Sequence, residues 1–339
     1  MVTGSKESLK WFDKVLNERY TARWEALLGE AAEKNETFFL NRLLRYVPDG
    51  TDDGGCRLEV EADARHADII IRAFNLQDGG KGCDVPEEKV TEKDLIDAER
   101  QSPLEPGQVS QFRSLVMRLA YMSVDRPDLC HVVRTLASAM KTPRLSDWMR
   151  LKKVARYLVK VPYMKRVYKM QNPETLHVNV MTDSDWAGDL RTRRSTSGAV
   201  IRIGAHVVQI KCASQKVVAL SSMESEYYSM CRGVTEAMFI RSVVDFWGIC
   251  PGTMVLRVDS SSAKALAERK GVGKSRHIQA RYLWLQDLVF SKELNVQKTP
   301  GRTNDPDLVT KVQPRATMKD HLTRMHFHPC GREGHKGLT

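Results

Sequence analysis

Thr182-Asp183-Ser184-Asp185-Trp186-Ala187-Gly188-Asp189 is the stretch on which the fold of this 339-residue chain turns. It closes an alternating run. Leu176, Val178, Val180 and Thr182 share one face, and His177, Asn179, Met181 and Asp183 share the other. That period of two belongs to a β-strand. Working outward, Ser197–Ile203 and His206–Lys211 predict two more strands around the turn at Gly204-Ala205. Ser221–Trp247 predicts a long helix stopped by Gly248. A fourth strand over Met254–Asp259, a short helix over Ser261–Arg269, a helix over Arg276–Lys292, a fifth strand over Leu294–Thr299 and a last helix from Asp305 to Lys311 follow. The long helix supplies a right-handed crossover, so the first and fourth strands run parallel. The expected fold class is α/β: a mixed five-stranded sheet with flanking helices.

Three further acidic stretches follow the first: Ser221-Ser222-Met223-Glu224-Ser225-Glu226-Tyr227, Val258-Asp259-Ser260 and Asn304-Asp305-Pro306-Asp307-Leu308. Each sets a carboxylate at the end of a strand pattern or the start of a helix pattern. Asp183 and Asp259 close their strands on the less apolar face, and ligands of open α/β sheets sit beyond such carboxyl ends. Ser221 and Glu224 fit a capping box, which gives Glu224 a structural task. Glu226 lies about 200° around the helix from Glu224, outside that cap and available to the crevice. Asp305 suits a helix start, where acids are favoured by the macrodipole. Asp307, one position past Pro306, is the preferred fourth ligand. Carboxylates this close repel and raise at least one pKa. Divalent cations remove that penalty, and hard oxygen donors favour Mg²⁺, with Mn²⁺ able to substitute, over zinc. Two metals clamped by acids are suited to cutting a phosphodiester.

The bulk numbers point the same way. Net charge is +11, with 42% hydrophobic and 28% charged residues, an ordinary globular balance with a basic excess that suits a polyanionic partner such as nucleic acid. No run has the length of a transmembrane helix, and no membrane role is expected. No apolar core follows Met1-Val2-Thr3-Gly4-Ser5-Lys6, so no signal peptide is expected. Seven dispersed cysteines without a C-x-x-C pair argue for a reducing compartment. Localisation is expected to be cytoplasmic, with a virus-like particle or the nucleus as alternatives. His326, His328, Cys330 and His335 fit no standard zinc spacing. Residues 1–107 are weakly patterned: helical and mixed to about 50, then a short strand, a helix over Ala62–Phe74 and a polar loop over 77–107. Residues 108–170 read as helical, 175–312 as the best-defined unit and 313–339 as a basic tail. Arg144–Lys169 carries nine basic residues against Asp147. It reads equally as a solvated face or as a track for a nucleic-acid backbone.

The stretches Thr182–Gly188, Arg193-Arg194-Ser195-Thr196-Ser197-Gly198, Val218–Ser222, Glu224–Tyr227, Arg276-His277-Ile278 and Asp307-Leu308-Val309-Thr310-Lys311 together resemble the ribonuclease H domain of copia-type retrotransposon Pol polyproteins. Upstream, Leu119-Ala120-Tyr121, Asp125-Arg126-Pro127-Asp128 and Leu151–Leu158 resemble the connection region of that family, and residues 38–75 the end of its reverse transcriptase domain. The resemblance implies a ribonuclease H-like sheet preceded by a mostly helical connection region. It also implies a two-metal endonuclease that cuts the RNA strand of RNA–DNA hybrids, with the rest of a reverse transcriptase polyprotein as a further partner. Asp183, Glu226, Asp259 and Asp307 fall on the family's four acidic positions. The alternative is an inactive retroelement remnant that binds nucleic acid. No Tyr-x-Asp-Asp polymerase motif occurs in the chain, Pro306 stands where the family carries a small residue, and the loop 300–304 holds no histidine. Arg193 and Arg194 read as phosphate contacts or as a solvated turn. Lys274 and Arg276 read as hybrid-backbone contacts or as helix caps. His277 matches by motif, with a helix-start structural role as its other reading.

Overall fold

A computed structural model describes residues 5–22, 28–29, 35–48, 55–172, 176–249, 252–273 and 276–331. The chain divides into two compact units. The first comprises residues 1–63 with 165–170. Here α1 (Lys6–Asn17) is followed by strands β1 (Glu36–Phe39), β2 (Arg42–Pro48) and β3 (Cys56–Glu61), with β4 (Tyr163–Lys169) antiparallel to β3. A helical reading to about residue 50 therefore gives way to a hairpin from Glu36 onward. Its two-residue turn, Leu40-Asn41, takes positive φ at both positions, the geometry of hairpin turns that glycine usually signals. No glycine marks it in the sequence.

The second unit comprises residues 64–164 and 171–339. Five helices open it: α2 (Arg65–Ala73), α3 (Glu92–Glu99), α4 (Pro106–Met122), α5 (Cys130–Ser138) and α6 (Leu145–Lys160). Helix α3, capped by a Thr91–Asp94 box, lies in the stretch expected as loop. That stretch is tied down: the Cys83 thiol donates to Lys153 O, the Arg156 Nε–H donates to Lys81 O at 2.9 Å, and Lys153 and Lys160 bond Glu88 and Asp84. These basic side chains of α6 are thus engaged within the protein, which reduces the charge left for a backbone track.

The motif Asp125-Arg126-Pro127-Asp128 is structural. Arg126 and Asp128 are 1% and 3% exposed. The guanidinium donates twice to the carboxylate, at 3.0 and 2.7 Å, and again to Val161 O, while the Tyr157 hydroxyl donates to Asp128 at 2.7 Å. Burial opposes the Arg126 charge, but Asp128 outweighs it and raises the pKa.

The sheet follows: β5 (Val178–Asp185), β6 (Thr196–Ile203), β7 (His206–Ser214), β8 (Met254–Val258) and β9 (Leu294–Lys298). Its order is β7-β6-β5-β8-β9. β5 pairs antiparallel with β6, and β6 with β7; β5 pairs parallel with β8, and β8 with β9. This is the mixed five-stranded sheet expected from the sequence. Helix α7 (Ser222–Phe246) covers one face with α8 (Ser261–Ala267) and α9 (Trp284–Phe290), burying Val180, Ile201, Tyr227, Val234 and Leu256. The helix expected over 276–292 is broken. Tyr282 lies in a 3-10 turn, and its carbonyl accepts the Tyr227 hydroxyl at 3.0 Å.

The other face is not open, contrary to its less apolar appearance. Met181 and Val200 join a core with α4, α5, α6, the short helix α10 (Asp307–Thr310) and α11 (Arg315–Arg324). The stretch expected as a basic tail contains α11 and strand β10 (Phe327–Cys330) and buries Met318, Leu322, Met325 and Phe327.

Two glycines set how closely the layers approach. A Cβ at Gly233 would lie 2.5 Å from Thr182 Cγ2 and 3.2 Å from Val180 Cγ1. A Cβ at Gly198 would lie 2.5 Å from Thr310 Cγ2, so this residue admits α10 over the end of β5. Gly233→Val is expected to destabilise the protein by about 1–3 kcal/mol through overpacking. Urea denaturation checks this, and a variant as stable as the parent would show that α7 can lift without cost.

Candidate metal centre

Asp183 lies near the end of β5, Glu226 in the second turn of α7 and Asp259 just past β8. One carboxylate oxygen from each lies within 4.8 Å of the others. Local bonding holds α7 against the strands. The Ser229 hydroxyl donates to Asp183 O at 2.6 Å, the Ser225 hydroxyl to Ser184 Oγ at 2.8 Å, and the Gln215 amide to Ser225 O at 2.8 Å. Glu226 Oε1 accepts the Ser184 N–H at 3.2 Å. Its other oxygen, Oε2, is buried without a hydrogen-bond partner.

Burial is the first cause of the raised pKa values here, and like charge the second for Glu226 and Asp259. Glu226 is pushed up to about 8 by burial, then by Asp183 and Asp259. Asp259 is raised by burial and then by Asp183. Asp183 is raised by burial, with Lys311 opposing and Asp307 adding to the rise. Three converging carboxylates and an orphaned Oε2 fit a hard divalent cation, which would lower these values together.

A pH dependence follows for the metal-free protein. The folded pKa of Glu226, about 8, exceeds its ordinary value of 4.5, so folding favours the protonated acid. The associated stability is complete below the ordinary pKa and is lost as pH rises through the folded one. The Tm in EDTA is expected to fall between about pH 5 and 8, and saturating Mn²⁺ to flatten the slope. A Tm in EDTA that rises across that window would contradict this.

Asp307 opens α10 and is joined to Asp183 through Lys311, whose Nζ lies 2.6 Å from Asp307 Oδ1 and 3.1 Å from Asp183. Thr310 Oγ1 donates to Asp183 Oδ2, and the Asn304 amide to Thr182 O at 3.3 Å. Sequence reasoning did not assign Asn304, Thr310 or Lys311, although Thr310 and Lys311 stand in the stretch that carried the resemblance. Asp305 has a structural place: its carboxylate accepts from Arg202, from Arg324 Nε at 2.9 Å and faces His321 Nδ1 at 3.1 Å. Glu224 N–H donates to Ser221 Oγ as expected of a cap. The Glu224 carboxylate reaches Leu220 N–H at 2.7 Å rather than the N-cap's own, and also bonds Tyr228 and His277.

His277 Nε2 is 2.9 Å from Glu224 Oε2. Arg276 and Arg194 are exposed. Arg193 is also exposed, at positive φ, with Nη2 3.5 Å from Glu92. Lys274 and His335 lie outside the described residues. Asp189 accepts the N–H groups of Arg191 and Thr192 and shapes the turn. Trp186 donates its indole N–H to Ala219 O at 3.0 Å and is 48% exposed. It lines a groove of about 1070 Å³ with His131, Arg134, Asp185, Arg191 and Lys311.

No family model matches the chain. The retrovirus-related Pol polyprotein from transposon RE2 of Arabidopsis thaliana is 30% identical over 213 residues, covering 62% of this chain and 14% of that protein. The Pol polyprotein from transposon TNT 1-94 of Nicotiana tabacum is 29% identical over 206 residues, covering 60% and 15%. The secreted RxLR effector protein 161 of Plasmopara viticola is 35% identical over 132 residues, covering 38% of this chain and 90% of that protein. The chain is homologous to retrovirus-related Pol polyproteins from plant transposons. It corresponds to their C-terminal part and spans about 15% of the length of the Pol relatives it matches. Among solved structures, the N-terminal RNase H domain from Mycobacterium tuberculosis, fused to maltose binding protein, is 14% identical. It covers 44% of this chain and 98% of that one with a TM-score of 0.28. The fold of the chain rests instead on the order and direction of its own strands.

Proposed function

We propose that this Pol segment is a metal-dependent ribonuclease H that hydrolyses the RNA strand of RNA–DNA hybrids. The convergence of the Asp183, Glu226 and Asp259 oxygens within 4.8 Å, with Glu226 Oε2 unpartnered, carries this reading. In it, Asp183, Glu226, Asp259 and Asp307 hold two Mg²⁺ ions, for which Mn²⁺ can substitute. Bound metal would supply an activated water and neutralise charge on the scissile phosphate. The protein's own residues orient and pre-pay that binding. Ser184 N–H and the Thr310 hydroxyl aim the Glu226 and Asp183 carboxylates. The covered sheet face excludes water from Asp183, which is 1% exposed. Arg134, Arg191 and Trp186 line the adjoining groove, a surface suited to reading a hybrid by its backbone and 2′-hydroxyls rather than its bases.

Incubation with a labelled RNA–DNA hybrid in Mg²⁺ and in EDTA tests the reading, with single-stranded RNA and duplex DNA as controls. Cleavage confined to the hybrid's RNA strand and lost in EDTA is expected. Binding without cleavage in both Mg²⁺ and Mn²⁺ would replace the enzyme with an inactive nucleic-acid-binding remnant.

A further inference from the structure

Lys311 is an unusual neighbour for a metal centre. Its ammonium bonds Asp307 Oδ1 at 2.6 Å and both oxygens of Asp183 at 3.1 Å. It is therefore a cation seated between two of the four carboxylates. Among the described residues, Glu226 and Asp259 have no ion pair, Lys311 and Lys298 favour the Asp259 charge without contacting it, and Glu226 Oε2 has no hydrogen-bond partner. The cluster is thus divided into one side neutralised by the chain itself and one side left to an external ion. The geometry is fixed locally. Lys311 follows α10 directly, its N–H bonds Asp307 O at 3.1 Å, and Asp307 and Lys311 stand four residues apart on one face. Gly198 admits this turn over β6, opposite Asp183 in the strand register.

We propose that Lys311 is a built-in counter-ion that takes the place of one divalent cation between Asp183 and Asp307, so that an ion reaches these two carboxylates only by displacing it. The proposal rests on the two-metal reading above and refines it: the Asp183–Glu226–Asp259 side fills first, and the Asp183–Asp307 side fills only when Lys311 swings away. Displacement frees an ammonium beside the groove that Lys311 lines with Arg134 and Arg191. There it can meet a phosphate of the bound strand, so the second metal and the nucleic acid reinforce each other's binding. Lys311 is on this account a positioning residue, acting through the carboxylates it holds.

Mn²⁺ binding to the full chain, counted from the free-ion electron paramagnetic resonance signal, tests the proposal without nucleic acid. The wild type is expected to take one ion tightly and a second weakly. Lys311→Met is expected to bind the second roughly 10-fold to 100-fold more tightly, the weight of a charge-assisted hydrogen bond that no longer has to be broken. Acetylation of lysines in the wild type, read by mass spectrometry, gives an independent measure should that variant fail to fold. Labelling of Lys311 should rise on Mn²⁺ saturation, while that of the exposed Lys319 stays constant. Equal second-site affinity in both proteins, or unchanged Lys311 labelling with two ions bound, would overturn the proposal and leave the two-metal reading standing. No Mn²⁺ bound by either protein would overturn both.

Discussion

Asp259→Asn is expected to reduce hybrid cleavage at least ~100-fold, the upper end of what even outer-shell metal partners cost, while leaving the fold intact. The amide keeps the shape of the carboxylate and removes its charge. Asp259 is raised by burial and by Asp183, so in the metal-free protein its charge is a source of repulsion rather than of stability. The variant's Tm in EDTA should equal or exceed that of the wild type. With Mn²⁺ the order should reverse, because a ligand that binds only the folded state stabilises in proportion to its affinity. Activity and metal-free stability thus move in opposite directions, which a merely structural role for Asp259 would not produce. Unchanged cleavage would sink the site assignment. Lost cleavage with a lowered Tm in EDTA would reassign Asp259 to the fold.

Arg126→Met is expected to cost about 3–5 kcal/mol, the penalty for leaving one partner of a buried ion pair uncompensated. Asp128 would keep only the Tyr157 hydroxyl at 2.7 Å, and its carboxylate, 3% exposed, could not reach water. The double variant Arg126→Met with Asp128→Leu should recover most of the loss, because a pair replaced by apolar groups of similar size is often neutral or better. Urea denaturation of the three proteins checks both statements. A single variant that loses under 1 kcal/mol would mean that water reaches Asp128. This motif contributed to the resemblance, and its explanation is packing: it ties the turn before α5 to the end of α6 through Val161 O.

Much of the second unit was legible in one dimension. Alternation over Leu176–Asp183 gave a strand, Ser221 gave the start of α7 and Gly248 its end, and Gly204-Ala205 gave the β6–β7 turn. These are local signals: side-chain parity, a cap that the chain supplies to itself, and glycines at positive φ. The hairpin at Leu40-Asn41 was hidden because neither residue is the glycine that such a turn normally demands. The break before α9 was hidden because Tyr282 bonds across to α7 instead of along its own helix. The burial of α11 was hidden because its few apolar residues, Met318 and Leu322, are spread among charges.

By itself the sequence determined the order of the elements and which acids stand at their ends. It separated Glu224 from Glu226 by helix geometry, and it preferred Asp307 over Asp305 from the position of Pro306. Tertiary structure alone decided the rest. It covered the second face of the sheet with α4, α5, α6 and α11, which turned an expected open crevice into a site where Asp183 is 1% exposed. It gave Asp305 to Arg202 and Arg324, and it seated Lys311 between Asp183 and Asp307. The reason is physical. Periodicity and caps depend on residues a few positions apart, whereas the charge at a carboxylate depends on what the fold brings within a few ångströms, and Lys311 is 128 positions from Asp183.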